Sequence, residues 1–318
     1  MNEVTKIDGI GSSVRRTEDK KFLTGKGRYT DDINRPGQVQ AYFLRSDVAH
    51  AEIKSIDTKA AQSAPGVVGV FTGSDIAADK VGGPICGWVV PCRDGSSTKE
   101  PPHPLLAQGK VRFVGDAVAV VVAETMEQAK SAAELIDVDY NELTPVVDFV
   151  NADKGAQIHE EVPNNCYFDW ELGDESATNK AIESAAKVVK LSVRNNRLVP
   201  NAMEPRSALA EYDSLDESYT LHTTSQNPHL TRLVLAAFMF AIPESKLRVI
   251  APDVGGGFGS KIYVYIEEAV CVWASKKIGR PVKWTADRTQ AFLTDCHGRD
   301  HVNDVQLALD DNNKIIGL

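Results

Sequence analysis

The sequence predicts an α+β fold divided between two domains, and three observations lead there. At 318 residues, 42% of them hydrophobic and 25% charged, the chain can bury a sizeable core, and its length suits two globular domains. Short β-rich runs alternate with helical periods along most of it. A polar stretch without clear period, residues 144–168, separates two sets of elements and places a boundary near 150, giving domains over residues 1–150 and 151–318.

In the first domain, QVQAYFLR, AEIKSID, TKAAQSA and GVVGVFTG read as strands around a small helix. Residues 79–110 are rich in Gly, Pro and polar side chains and include Pro101-Pro102-His103-Pro104. Such a stretch cannot continue a helix or a central strand, so it reads as a long surface excursion. The apolar run VRFVGDAVAVVVA predicts one buried strand, and Thr125 predicts a helix cap with Gln128 answering at N3. Ala129, Ala132, Ala133 and Ile136 then fall on one small-residue face that can pack on a sheet, before IDVDY returns as a strand.

Beyond residue 150 the pattern predicts a helix over 176–186, strands at KVVKLSV, ALAEYD and YTLHTTS, a helix starting near Pro228, and a strand at KLRVIAP. In YVYIEEAVCVWASKKIG, Ile266, Ala269, Val270, Trp273 and Ala274 share one helical face, and Gly279 with Pro281 supplies the stop. PVKWTAD follows as a strand, and HVNDVQLALDDNNKIIGL reads as a hairpin through Asp311-Asn312-Asn313.

The formal net charge of −9 argues against a polyanionic partner, because nucleic-acid binding needs a basic field that displaces counterions from phosphates. Met1-Asn2-Glu3-Val4-Thr5-Lys6-Ile7-Asp8 shows no basic region followed by an apolar one, so no secretory signal is read and a cytoplasmic location is expected. The longest apolar runs, such as Ala117 to Ala123, fall far short of the roughly 20 residues a bilayer span needs. Five cysteines are sparse for a disulfide framework, and Cys86 and Cys92 lack CxxC spacing. Cys166, Cys271 and Cys296 are too scattered for an iron–sulfur cluster, so any cluster serving this protein is expected on another chain.

The sharpest local signal is Asp253-Val254-Gly255-Gly256-Gly257-Phe258-Gly259-Ser260-Lys261, between a predicted strand and a predicted helix. Glycines let the backbone approach a ligand and adopt positive φ, and N–H groups at a helix start favour an anion. A mononucleotide loop of the Walker type needs Gly before the Lys, where Ser260 stands, and a GxGxxG loop from Gly255 would need Gly at the same place. Both fail. The loop alone is consistent with an anionic or oxygen-rich ligand or with a tight structural turn, and Phe258 favours the ligand because a turn needs no large aromatic.

The run LRVIAPDVGGGFGSK resembles the cofactor loop of the molybdenum hydroxylase large subunit, the family of xanthine dehydrogenase, aldehyde oxidase and aerobic carbon monoxide dehydrogenase. GKGRYTDDINRPGQVQAYFLRSDVAHAEIKSIDTKAAQSAPGVVGVFTG and VRFVGDAVAVVVAETMEQAKSAAELIDVDYNEL resemble the opening and close of that subunit's α/β hammerhead domain. VPNAMEPRSALAEYD, YTLHTTSQNPH, GRPVKWTADRTQAF and HGRDH resemble further segments, so the likeness runs in order over about residues 12–318. The bacterial carbon monoxide dehydrogenase-like branch is the nearest in pattern. The implied fold is a hammerhead domain followed by the first part of an α+β molybdenum-cofactor-binding domain.

Position by position, Gln226 in SQNPH matches the family glutamine whose amide approaches an oxygen ligand of molybdenum; an amide offers donors without charge. Asn227 as a helix cap and Pro228 at N1 would explain Asn-Pro structurally but not the Gln. Gly257, Phe258 and Gly259 match the loop at the molybdenum site, with Gly255 and Gly256 holding the turn. Ile262 stands where xanthine dehydrogenase-like members carry a substrate-contacting glutamate after the lysine, Asp47 where the family usually has Pro, and Cys296 where a small residue is common. Glu204 and Arg206 in MEPR are expected to pair in a structural role, and His297-Gly298-Arg299-Asp300-His301 is expected to be a hydrogen-bonded turn, since Gly298 disfavours the helix a zinc pair would need.

The resemblance implies a molybdenum–molybdopterin cofactor in the cytosine dinucleotide form, and hydroxylation or oxidation of carbon monoxide, an aldehyde or an N-heterocycle with water-derived oxygen. It implies partners too: a medium subunit carrying FAD and a small subunit carrying [2Fe-2S] clusters, in a dimer of heterotrimers. The family's general-base glutamate is implied to lie beyond Leu318, which leaves no catalytic residue to assign here. The chain is therefore expected to be a piece of a longer subunit, or one half of a subunit split between two chains. A non-catalytic scaffold that keeps the fold is the alternative.

Overall fold

The computed structural model describes residues 9–11 and 13–318; the reading of Met1 to Asp8 lies outside the described residues. The first half contains α1 (Asp19–Leu23), β1 (Val39–Arg45), β2 (Ala51–Asp57), α2 (Lys59–Gln62), β3 (Val67–Thr72), α3 (Gly73–Ala78), β4 (Lys110–Val111), β5 (Ala117–Ala123), α4 (Met126–Ala133) and β6 (Asp137–Glu142). The second contains α5 (Glu175–Ser184), β7 (Lys187–Asn195), β8 (Ser207–Asp213), β9 (Ser218–Thr223), α6 (Pro228–Leu233), β10 (Leu247–Ile250), α7 (Ile266–Ile278), β11 (Val282–Thr285), α8 (Arg288–Thr294), β12 (His301–Leu309) and β13 (Ile315–Gly317). The mixture of helices and sheets is the α+β class the sequence predicts. Neither α1 nor α8 was signalled by a periodic apolar face.

A seven-stranded sheet in the order β10-β9-β8-β11-β1-β5-β3 forms the centre. Strands from both sides of residue 150 share it, joined where β1 runs parallel to β11 with Val39 opposite Val282. All seven residues of β5 are buried, because the sheet is covered on both faces. On one face sit Ala129, Ala132, Ala133 and Ile136 of the α4 region, the small-residue stripe that the spacing predicts. The other face meets a core that includes Phe43, Trp284, Leu221 and the apolar residues of α7. Thr125 caps α4 as expected, its hydroxyl accepting from Gln128 N at 3.2 Å while Gln128 Oε1 accepts from Thr125 N at 3.1 Å.

Three local expectations change. The run VRFVGDAVAVVVA is two strands: β4 joins β2 and β6 in a separate three-stranded sheet, and β5 enters the large one. Gly115, at φ +105, lets the chain turn between them, with Asp116 N donating to Phe113 O at 3.1 Å. The excursion over 79–110 also does not stay on the surface, since Leu105 and Leu106 close into the core. Helix α7, expected to bury one face, is buried on every residue from Glu267 to Ser275.

Burial of two carboxylates in α7 is possible because each finds partners. Glu267 accepts from Arg206 Nη1 and from Arg45 Nη2, both at 2.7 Å, and Glu268 accepts from Thr223 Oγ1 at 2.5 Å. Arg206 also donates to Asp295 and Thr294 and lies 3.7 Å from the centroid of the Tyr265 ring. Arg206 thus pairs with Glu267 and Asp295, not with Glu204 as the sequence suggested. The third sheet, β13-β12-β7, is looser: Val189, Leu191 and Val193 of β7 are 44%, 60% and 41% exposed.

Burial alone would push the Glu267 carboxyl up, but the Arg206 and Arg45 guanidinium groups more than offset it and hold it at about 2, below its ordinary 4.5. A carboxylate depressed in the folded state stabilises the fold above its unfolded value and loses that contribution as pH falls toward the folded one. Stability should therefore decline as pH drops from about 4.5 toward 2, and part of that decline should vanish in Arg206→Met. The same substitution should lower unfolding free energy near neutral pH by about 3–5 kcal/mol, because it strands buried charge. Urea titrations across pH on both proteins measure both effects.

Candidate functional site

The glycine loop begins where β10 ends. Asp253 anchors its start, forming a parallel bridge with Tyr29 and accepting from Arg28 N at 2.7 Å. The next turn places Gly256 at φ +96, Phe258 at +52 and Gly259 at +95. For Phe258 this is a strained conformation, and its side chain is 76% exposed rather than packed. Gly257 is required by close approach: a Cβ there would stand 2.3 Å from Gln226 Oε1.

Gln226, brought from the end of β9, is knitted to this loop twice. Its backbone N donates to Lys261 O at 2.8 Å, and its Oε1 accepts from Gly259 N at 3.0 Å. With the carbonyl oxygen engaged, the amide nitrogen Nε2 is the end left to a ligand; it makes no hydrogen bond to a described residue. Asn227 occupies the N-cap position of α6 and Pro228 the first helical one, but the Asn227 side chain makes no capping bond. The structural explanation of this segment thus covers Pro228 and leaves Gln226 to the loop.

A second clamp, which the sequence did not reveal, holds the loop from behind. Glu204 Oε2 accepts from Gly255 N at 2.7 Å and from Lys261 Nζ at 3.1 Å, while Glu204 O accepts from the same ammonium at 2.7 Å. Lys261 is 2% exposed, and burial lowers its pKa against the opposing pull of Glu204. Its charge is consumed by this clamp and does not face a ligand. Only the pairing of two side chains 57 residues apart shows this; the MEPR run itself carries no signal of it.

What the loop presents outward is a row of donors. The N–H groups of Gly256, Gly257 and Phe258 donate to no described residue, and Gln226 Nε2 lies beside them. Successive N–H groups in a turn of alternating φ sign form a concavity suited to anionic oxygen. The helix-terminus part of the expectation is not met: the turn Ser260–Ile262 intervenes, α7 starts at Ile266, and Glu268 already caps Tyr265 N at 3.0 Å. A molybdopterin group, rich in oxygen and anionic at its phosphate, fits this donor set.

The two histidines of HGRDH do not form a pair, and Cys296 N connects to the loop through Tyr265, whose hydroxyl accepts from it at 2.9 Å and donates to Ser260 O at 2.7 Å. His297 Nδ1 accepts from Arg197 Nε at 2.6 Å and His301 opens β12, so the two do not share a helical face. The five cysteines are free thiols, with Cys271 buried and Cys86 and Cys166 exposed.

Comparison with known proteins places the chain in a family. Residues 24–144 match the family model described as aldehyde oxidase and xanthine dehydrogenase, a/b hammerhead domain, and residues 158–318 match the molybdopterin cofactor-binding domain. The chain is 36% identical to the carbon monoxide dehydrogenase large chain of Afipia carboxidovorans, over 98% of this chain and 39% of that protein. It is 35% identical to the nicotine 6-hydroxylase large subunit of Paenarthrobacter nicotinovorans, over 97% of this chain and 37% of that protein. Among solved structures, quinoline 2-oxidoreductase from Pseudomonas putida 86 superposes with a TM-score of 0.84 at 36% identity, covering 96% of this chain and 38% of the other. The chain belongs to the molybdenum hydroxylase large-subunit family, with its hammerhead and molybdopterin cofactor-binding folds. It spans about two fifths of the length of these relatives.

Gly257→Ala should push the Gln226 side chain out of the loop and break its bond to Gly259. That bond is worth about 1 kcal/mol, so the thermal midpoint should move by only a few degrees. Molybdenum content per chain should fall several-fold. Metal analysis and circular dichroism on the same preparation would show both.

Proposed function

We propose that this chain is the cofactor-holding part of a molybdenum hydroxylase, with residues 1–150 as the hammerhead domain and 151–318 as the first part of the molybdopterin-binding domain. The single observation that carries the assignment is that the N–H groups of Gly256, Gly257 and Phe258 donate to no described residue, next to a Gln226 amide whose oxygen is held by Gly259 N. Gln226, Gly256, Gly257, Phe258 and Gly259 hold the cofactor: the glycine backbone and the Phe258 N–H receive its oxygen atoms, and the exposed Phe258 ring walls the pocket. Gln226 Nε2 would offer the bound cofactor an uncharged donor, leaving the charge at the site unaltered. Bound in this way, the cofactor supplies two-electron oxidation of substrate with oxygen from water.

The substrate class is carbon monoxide, an aldehyde or an N-heterocycle. Ile262, apolar and 38% exposed, gives no carboxylate for purine recognition at the position after Lys261. The cofactor is read as the cytosine dinucleotide form. Because the described cysteines are dispersed free thiols, [2Fe-2S] clusters on a small subunit and FAD on a medium subunit would carry electrons away, and two heterotrimers of large, medium and small chains pair as a cytoplasmic dimer of heterotrimers. The rest of the cofactor cage and the general base come from further polypeptide, on this chain or on a separate one.

Intact mass and molybdenum content of the protein from its native source test this. Stoichiometric molybdenum, with a mass well above 34.6 kDa or with a companion chain, is expected. Absence of molybdenum in the purified assembly would favour a scaffold. In that assembly Gln226→Ala should lower turnover per bound molybdenum at least tenfold, and unchanged turnover would remove the role given to the amide.

A further inference from the structure

A cavity of about 810 Å³ lies between two loop segments, 84–104 and 159–170, and shares no residue with the glycine loop. Its walls are built. Arg93 N donates to Asp169 O at 2.8 Å and Lys99 N to Tyr167 O at 2.9 Å, so the two segments are laced by backbone hydrogen bonds. Yet the space between them is left open and lined by aromatic rings: Trp88, Phe113, Tyr167, Phe168 and Trp170. Trp88 is 79% exposed, Phe168 55% and Trp170 50%. A volume of this size with apolar walls and few polar groups is the ordinary form of a small-molecule site.

The polar groups give the ligand its charge. Arg112 Nε is tied to Ile158 O at 3.3 Å, which fixes the guanidinium, while its two Nη groups donate to no described residue. Such a fork is matched by a carboxylate. Of the acids in the wall, Glu100 accepts from Cys86 N, and Asp116, pushed up to about 6 by burial, accepts from the Arg112 backbone N at 3.1 Å and lies in the field of Arg112; Lys99 and Lys110 also line the cavity. Burial first, and then the positive field of Arg112, lower the pKa of His103 and His159. His159 Nδ1 is buried without a partner among the described residues, and its ring stands edge-on to Tyr167 at 6.1 Å.

We propose that this cavity binds a planar aromatic monocarboxylate, its ring between the tryptophans and its carboxylate on the Arg112 guanidinium. The site is independent of the molybdenum assignment, and neither result below alters that assignment.

Equilibrium dialysis of the purified native assembly against 2-naphthoate, with 2-naphthalenemethanol as the uncharged counterpart, tests it. The expected result is one saturable site per chain, at least tenfold tighter for the carboxylate. Arg112→Gln should abolish that preference, and Trp88→Ala should weaken both probes. No saturable binding, or equal binding of the two probes to the unmodified protein, would overturn the proposal without any variant having to fold. Unchanged affinity of a folded Arg112→Gln protein would overturn it as well.

Discussion

The buried guanidinium of Arg206 is the interaction on which the rest of the structure depends. It reaches Glu267 on α7 and Asp295 after α8, and Glu267 in turn takes Arg45 at the end of β1. Four stretches are thereby fixed around one charge cluster, in which Arg45 Nε alone is left without a partner among the described residues. Pairs of this kind add less to stability than their number suggests, because desolvation offsets attraction. Their contribution here is geometric, since only one mutual arrangement of β1, β8 and α7 satisfies all of them.

Two residues before Arg206, Glu204 extends the same organisation to the glycine loop. Its carboxylate holds Gly255 and Lys261, and Lys261 in turn offers its carbonyl to Gln226. The short segment ahead of β8 thus ties the core to the site, through one residue facing each. The loop is thus held from this side through Glu204 Oε2, while Glu204 Oε1 is buried without a partner among the described residues. Preorganisation of donors is what lets backbone amides serve an anionic ligand without rearrangement.

Much of the architecture was legible in the sequence where a local signal sufficed. The alanine stripe of α4, the Thr125 cap and the Gly279 stop, which sits at φ +68, are settled within one turn of helix. The two-strand nature of VRFVGDAVAVVVA was hidden because one glycine in an apolar run can be strand or turn. The all-round burial of α7 was unreadable for a different reason: Glu267 and Glu268 look like solvent-facing residues until Arg45, Arg206 and Thr223 arrive from elsewhere. At the site, spacing left the loop open between ligand and turn, and resemblance singled out Gln226. The contact of Gln226 with Gly257 and Gly259, which orients the amide, exists only in three dimensions.

The open side of the β13-β12-β7 sheet carries a colloidal consequence. Strand β7 has nine residues, pairs on one edge only, and exposes Val189, Leu191 and Val193 in alternation. An unpaired edge with apolar side chains is a template for strand addition between copies. The net charge of −9 opposes such contact by mutual repulsion at low ionic strength, and salt screens that repulsion within about 10 Å at 0.1 M. Strand addition between isolated chains is therefore promoted by raised ionic strength and concentration.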